Sequence, residues 1–286
     1  MTCRLMFVGA NKIVDSIITL QFDKFLQPKP KRTTIYLASI VEPGHCRRNP
    51  IDILDLYRQH GIDTSTFSVV HDIDLLNQYG QFSLYGAFHF WIRQQLIKFM
   101  AVDSCDGEQI LIQDSDILLT KPYFYFNNGD PVPFIFLDTS HSPGYYEFVK
   151  KFTGQPRQTS GCFVTDFMPL RRTDWVSLKK HIEQTYSQNW LLAMINMFKQ
   201  EPNNIMFSEY EVLGNWLMLT DPDLKTVVQH NYPLQDCKIQ MIKDKNFNDS
   251  GYNPDYHNAV AIKLYDPAPK LDFSDIEYCK QIFMRD

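Results

Sequence analysis

Apolar and polar positions alternate along this chain with two distinct periods. Leu5 to Val8, Thr33 to Ala38 and Phe67 to Val70 are short runs rich in β-branched and aromatic residues, and they predict strands. Between the first two, Ile13, Val14, Ile17, Ile18, Leu20 and Phe25 mark one face of a helix that Pro28 and Pro30 end. Asn49-Pro50 reads as an N-cap followed by proline at the first helical position, opening a helix through Gln59 that Gly61 stops. Residues 84–103 make the longest predicted helix, with Trp91, Leu96, Phe99, Met100 and Val102 as apolar positions. Asp106-Gly107 then turns the chain into the strand Gln109 to Gln113. Further strands are expected at Phe134 to Leu137, around Phe163-Val164, at Val227-Val228 and at Val260 to Leu264. Helices are expected at Trp175 to Tyr186, Trp190 to Lys199 and Glu209 to Leu219. Alternating elements of this kind predict an α/β fold. No shift in composition marks a linker, so one domain is expected, with a C-terminal extension from about Lys225.

Composition narrows the function. With 44% hydrophobic and 21% charged residues in 286, the chain has enough apolar surface for a sizeable core. A formal net charge of -5 excludes the basic face of a nucleic-acid binder, and Lys29 to Arg32, Arg47-Arg48 and Arg171-Arg172 are short solvated spots. No run is long enough to span a membrane, and the N-terminus lacks a signal-peptide pattern. The six cysteines are widely spaced, without Cys-x-x-Cys, which points to a reduced, cytoplasmic protein, with peripheral membrane contact left open.

The chemistry centres on Asp114-Ser115-Asp116 at the end of an apolar strand. On an extended strand, positions i and i+2 share a face, so the two carboxylates would converge on one hard cation. The carboxyl ends of strands in an open α/β sheet are where ligands bind. Ile117-Leu118-Leu119 follows, and acids inside an apolar run are costly unless paired or metal-bound.

Trp91 to Lys98, an acidic turn, and Ile110 to Asp116 together resemble nucleotide-sugar glycosyltransferases of the GT-A type, nearest an uncharacterised polysaccharide-type group that pairs a Gln-Gln-x-x-Lys helix with an Asp-x-Asp strand. The resemblance covers roughly residues 84–220. It implies a Rossmann-like GT-A fold, a mixed, mostly parallel sheet flanked by helices. Residues 1–125 would be the nucleotide-binding half, and 126–286 the acceptor-binding half with the C-terminal extension. It implies Mn2+ or Mg2+, a UDP- or GDP-sugar donor and a carbohydrate acceptor. Asp116 would be the direct metal ligand, and Asp114 a second ligand or donor contact. Gln95, Lys98 and Arg93 would face the nucleotide, and Ser160-Gly161, in a segment like the family's Asn-Ser-Gly-Val, the donor sugar. His257 would complete the metal site, with His230 the other choice, and Asp138 would meet the acceptor. Ser208-x-x-Glu211 reads as a capping box. That explains Glu211 and leaves Glu209 as the implied base of an inverting reaction, with Glu211 second.

Two other readings compete. A haloacid-dehalogenase-type phosphatase also uses Asp-x-Asp, but near its N-terminus and followed by Thr or Val where this chain has Leu118. A non-catalytic carbohydrate-binding protein on a transferase fold would not need metal ligands, a donor loop and an acid together.

Overall fold

The computed structural model describes residues 1–9, 12–21, 23–42, 45–48, 51–81, 90–119, 121–136, 143–200, 207–229 and 259–261. A five-stranded sheet is built from β1 (Thr2–Val8), β2 (Arg32–Leu37), β3 (Phe67–His71), β4 (Gln109–Asp114) and β5 (Phe167–Arg171). Its order is β5-β4-β1-β2-β3. The first four strands are parallel, and β5 runs antiparallel to β4 at one edge. Pro169 sits in β5, where an edge strand tolerates a missing N–H. The result is a mixed, mostly parallel sheet flanked by helices, the α/β architecture expected from the sequence.

Every residue of β1 is buried, as a central parallel strand requires, and its side chains divide by parity between two cores. Met6 and Val8 join Ile35 and Leu37 against α1 (Ile13–Gln21) and α2 (Ile53–Gln59). Leu5 and Phe7 join the larger core of α3 (Asp72–Gln78), α4 (Phe90–Ser104), α5 (Pro143–Thr153), α6 (Arg172–Tyr186), α7 (Trp190–Gln200) and α8 (Glu209–Thr220). That single core draws on residues from Cys3 to Leu224.

Several expectations shift. β1 begins at Thr2 rather than Leu5, because Arg4 is buried with Asp23 at 2.7 Å and Thr33 at 3.2 Å as partners. The N-cap of α2 is Asp52, which accepts from the amides of Leu54 and Asp55, so the helix opens after Asn49-Pro50. Phe163-Val164 is not a strand. The amide of Phe163 is committed to Glu211, and among the described residues the segment pairs through a bridge between Phe136 and Cys162 before β5 begins at Phe167. Two helices, α3 and α5, were not anticipated. No described helix is long and apolar enough to cross a membrane.

Candidate functional site

β2 lies on one side of β1 and β4 on the other, so the crevice at the carboxyl ends of β1 and β4 is a topological switch point of the sheet. Asp114 is the last residue of β4 and pairs in register with Phe7 of β1. Ser115 and Asp116 form a turn into the short strand Ile117–Leu119. Three hydrogen bonds pin that turn. Ser115 N donates to Phe7 O at 3.1 Å, Asp114 N to Asp166 O at 3.0 Å, and Thr19 Oγ1 of α1 to Ser115 O at 2.7 Å.

The turn corrects the expectation that Asp114 and Asp116 point the same way by strand period. Extended geometry stops at Asp114, and the two carboxylates take different lysines. Asp116, 4% exposed, is ion-paired and hydrogen-bonded with Lys12, which follows β1. Asp114 meets Lys98 of α4, whose Nζ lies 2.7 Å from Oδ1 and 2.9 Å from Oδ2. Lys98 also donates to Glu209 Oε1 at 2.5 Å and to Tyr210 Oη at 3.3 Å, and its ammonium stands 4.4 Å from the Tyr210 ring centroid. Burial opposes the charge on Lys98, but Asp114 and Glu209 outweigh it and hold its pKa above the usual lysine value. Burial pushes Glu209 up, with Lys98 pulling the other way.

Lys12 and Asp15 were not singled out from the sequence. Asp15 lies on α1 among Ile13, Ile17 and Ile18, and its signal was an acid on an otherwise apolar helix face. It is 2% exposed, and burial together with the neighbouring Asp116 raises its pKa to about 7. Its Oδ2 is buried without a hydrogen-bond partner among the described residues. The same lysine serves both acids: Lys12 is held above its usual pKa, against burial, by Asp116 first and then by Asp15 and Asp114. Asp15 and Asp116 offer carboxylate oxygens of the kind a hard divalent cation takes, and Asp15 leaves one buried oxygen unpartnered among the described residues.

Other residues expected at the site are placed unevenly. Gln95 is fully buried, and with its amide nitrogen turned toward Glu209 it donates to that carboxylate. Arg93 lies on α4, half-buried. Ser160 is exposed beside Gly161. Glycine at 161 answers a contact within the protein: an added Cβ would stand 1.9 Å from Ile135 Cγ2 and 3.0 Å from Phe136 O. Half of the expected capping box forms, with Ser208 Oγ accepting from Glu211 N. The Glu211 carboxylate turns inward instead, accepting from Phe163 N at 2.8 Å and Asn215 Nδ2 at 3.0 Å. Both oxygens of the second-choice base are therefore engaged, Oε1 joining α8 to the segment after Gly161 and Oε2 held by Asn215 of α8 itself. Asp138, His230 and His257 lie outside the described residues.

No curated protein matches the chain. Among solved structures, the galactosyltransferase LgtC in complex with donor and acceptor sugar analogs is similar at 12% identity and a TM-score of 0.48, over 99% of this chain and 97% of that one. The glycosyltransferase GlyE of Streptococcus pneumoniae TIGR4 is similar at 11% identity and a TM-score of 0.46, over 99% of this chain and 60% of that one. Glucosyl-3-phosphoglycerate synthase from Mycobacterium tuberculosis, in complex with Mn2+, UDP-glucose and glycerol 3-phosphate, is similar at 10% identity and a TM-score of 0.40, over 86% and 77%. Likenesses of this extent carry no argument about chemistry. At the level of family the match is direct: over residues 47–247 the chain fits the model of DUF6492, a family of unknown function, and it belongs to that family.

Proposed function

We propose that this protein is a metal-dependent glycosyltransferase of the GT-A type that moves a sugar from a UDP- or GDP-sugar to a hydroxyl of a carbohydrate acceptor. The observation that carries the reading is the Asp15–Asp116–Lys12 group at the switch point, where a buried acid with an orphaned oxygen adjoins a second buried acid and a partly exposed lysine. A like-charged buried pair is a poor device for stability and a good one for a cation and the diphosphate that accompanies it.

Asp116, Asp15 and Asp114 would hold Mn2+ or Mg2+, with His257 as the proposed further ligand. The ion would supply positive charge to the departing nucleoside diphosphate. Lys12 is assigned to a donor phosphate, on the same side as Asp116. Arg93 is assigned to the nucleotide and Ser160 to the sugar. Lys98 holds the carboxylate of Asp114 in place. Glu209 is 1% exposed and tied to Lys98 and Gln95, so taking a proton from an acceptor would require it to leave both. We therefore assign Glu209 to positioning Lys98, and through it Asp114, rather than to general-base work. Residues 1–125 form the nucleotide-binding half on this reading, and residues 126–286 the acceptor-binding half and C-terminal extension, which also bring Ser160 and His257 to the donor side.

The test is thermal stabilisation by a panel of UDP- and GDP-sugars with and without Mn2+. Stabilisation should need both and vanish in Asp116→Asn. Equal stabilisation after chelation and in Asp116→Asn would overturn the metal assignment. Glu209→Gln should keep measurable transfer with a raised donor KM. Normal donor binding with transfer abolished would return Glu209 to the role of base.

A further inference from the structure

At the opposite end of β1 and β4 from the proposed site, the fold brings together Cys3 and Cys105, which are 102 positions apart in the sequence. Their sulfurs and a carboxylate oxygen of Asp106 all lie within 4.8 Å of one another. Both cysteines are buried, at 1% and 5% exposure, and both are free thiols. Cys3 is fixed in β1, paired in register with Arg32 of β2 on one side and Ile110 of β4 on the other. Cys105 sits just past the end of α4 in an irregular segment, outside any helix or strand, where a small movement does not break a ladder. Gly107 closes over the pair. Its amide donates to Cys105 Sγ at 3.4 Å, and a Cβ there would stand 2.6 Å from Cys3 Sγ. Arg32 is ion-paired with Asp106 beside them.

We propose that Cys3 and Cys105 form a redox-closable pair, joined as a disulfide by a hydroperoxide and reopened by a low-molecular-weight thiol. The surroundings divide the roles. A hydrogen bond from Cys3, the Gly107 amide and the charge of Arg32 favour a thiolate at Cys105, lowering its pKa against its burial. The hydrogen bond with Cys105 and burial push Cys3 up, so it holds its proton. The Cys105 thiolate attacks the terminal peroxide oxygen and the O–O bond breaks. The leaving alkoxide or hydroxide takes a proton from solvent, and Cys105 is left as a sulfenic acid. The Cys3 sulfur then attacks the Cys105 sulfur, the S–S bond forms, and hydroxide leaves with the Cys3 proton as water. Two thiols lose two electrons, and the hydroperoxide becomes an alcohol (or water) and water. Closure needs the sulfurs to approach to about 2.05 Å, a movement the irregular segment at Cys105 can supply. A metal on the same group would instead have to take Asp106 from Arg32.

Cys162 is the internal control, a buried free thiol held above its usual pKa by burial and Glu211. The experiment treats the full-length protein with hydrogen peroxide in slight excess and maps its peptides without reduction. The expected result is a Cys3–Cys105 linked peptide, an intact mass lower by two hydrogens, an unmodified Cys162, and a raised thermal midpoint that dithiothreitol reverses. Cys105→Ser should abolish the linked peptide, and the wild-type map alone decides if that variant fails to fold. Oxidation of Cys162 before the pair, or of Cys105 to sulfinic acid without a link, would overturn the proposal. So would stoichiometric zinc retained by the purified protein and released in both Cys3→Ser and Cys105→Ser, since the pair would then be a metal site.

Discussion

Helix α4 carries two charges about a turn and a half apart, the buried Lys98 and the partly buried Asp103, that enter two different knots. At Asp103 every group is answered. Trp175 Nε1 donates at 2.8 Å, Lys179 Nζ at 2.9 Å and Tyr79 Oη at 3.0 Å, while Arg172 closes the helix end by donating to the carbonyls of Val102 and Asp103. Burial would raise the pKa of Asp103, but Trp175 and Lys179 reverse it, so the ionised form is the stable one. At Lys98 one ammonium serves two carboxylates, and across the crevice Asp15 is crowded against Asp116 with an oxygen left over. The first knot holds helices together. The second keeps like charges close together around Lys12 and Lys98. A buried ionic group with all its partners is architecture; one whose acids repel each other is better explained by what it binds.

Substitutions can break this comparison. Lys98→Met strands Asp114 and Glu209 without their cation and should lower stability by about 3–5 kcal/mol in urea unfolding, with loss of transfer in whatever folds. Asp103→Ala leaves the Trp175 and Lys179 donors unanswered and should cost about 2–3 kcal/mol, with the metal dependence of donor binding unchanged. A change in donor affinity there would erase the distinction between the knots. Gly161→Ala should cost about 1–3 kcal/mol through overpacking against Ile135, measured the same way. Asp15→Asn goes in the other direction. Relieving the like-charge contact should raise stability by on the order of 1 kcal/mol while weakening Mn2+-dependent donor binding. A destabilised Asp15→Asn would make Asp15 an ordinary structural acid.

The smallest expected effect is a slope. Burial raises the pKa of Glu211 above its unfolded value. Between those two values the folded chain keeps a proton that the unfolded chain has lost, so stability falls as pH rises through that window and levels off above it. Glu211→Gln should remove that part of the slope in denaturation curves taken across the acidic range. A slope of equal size in the variant would assign it to another group.

Much of the fold was legible in local pattern. The runs that became β1, β2, β3 and β4 were read from composition, and α6, α7 and α8 from helical spacing and, for α8, the cap at Ser208. Helix α3 was missed because it begins directly at the end of β3 and is only seven residues long. The segment at Phe163 looked like a strand, but its amide answers Glu211, 48 positions away. Arg4 looked like a boundary because its partners Asp23 and Thr33 belong to other segments. Of the candidate site, the strand ending at Asp114 and the involvement of Lys98, Gln95 and Glu209 were readable. The contact of Lys98 with Glu209 was not, because it spans 111 positions.

The sequence by itself determined the periods, the caps and the fact that an acidic triplet would end a buried strand, since each depends on residues a few positions apart. Only the tertiary structure decided which charge meets which. It set Asp15 against Asp116, Lys98 between Asp114 and Glu209, and Cys3 beside Cys105. Strand order and helix packing choose those neighbours, and a buried charge or thiol takes its chemistry from the groups that surround it.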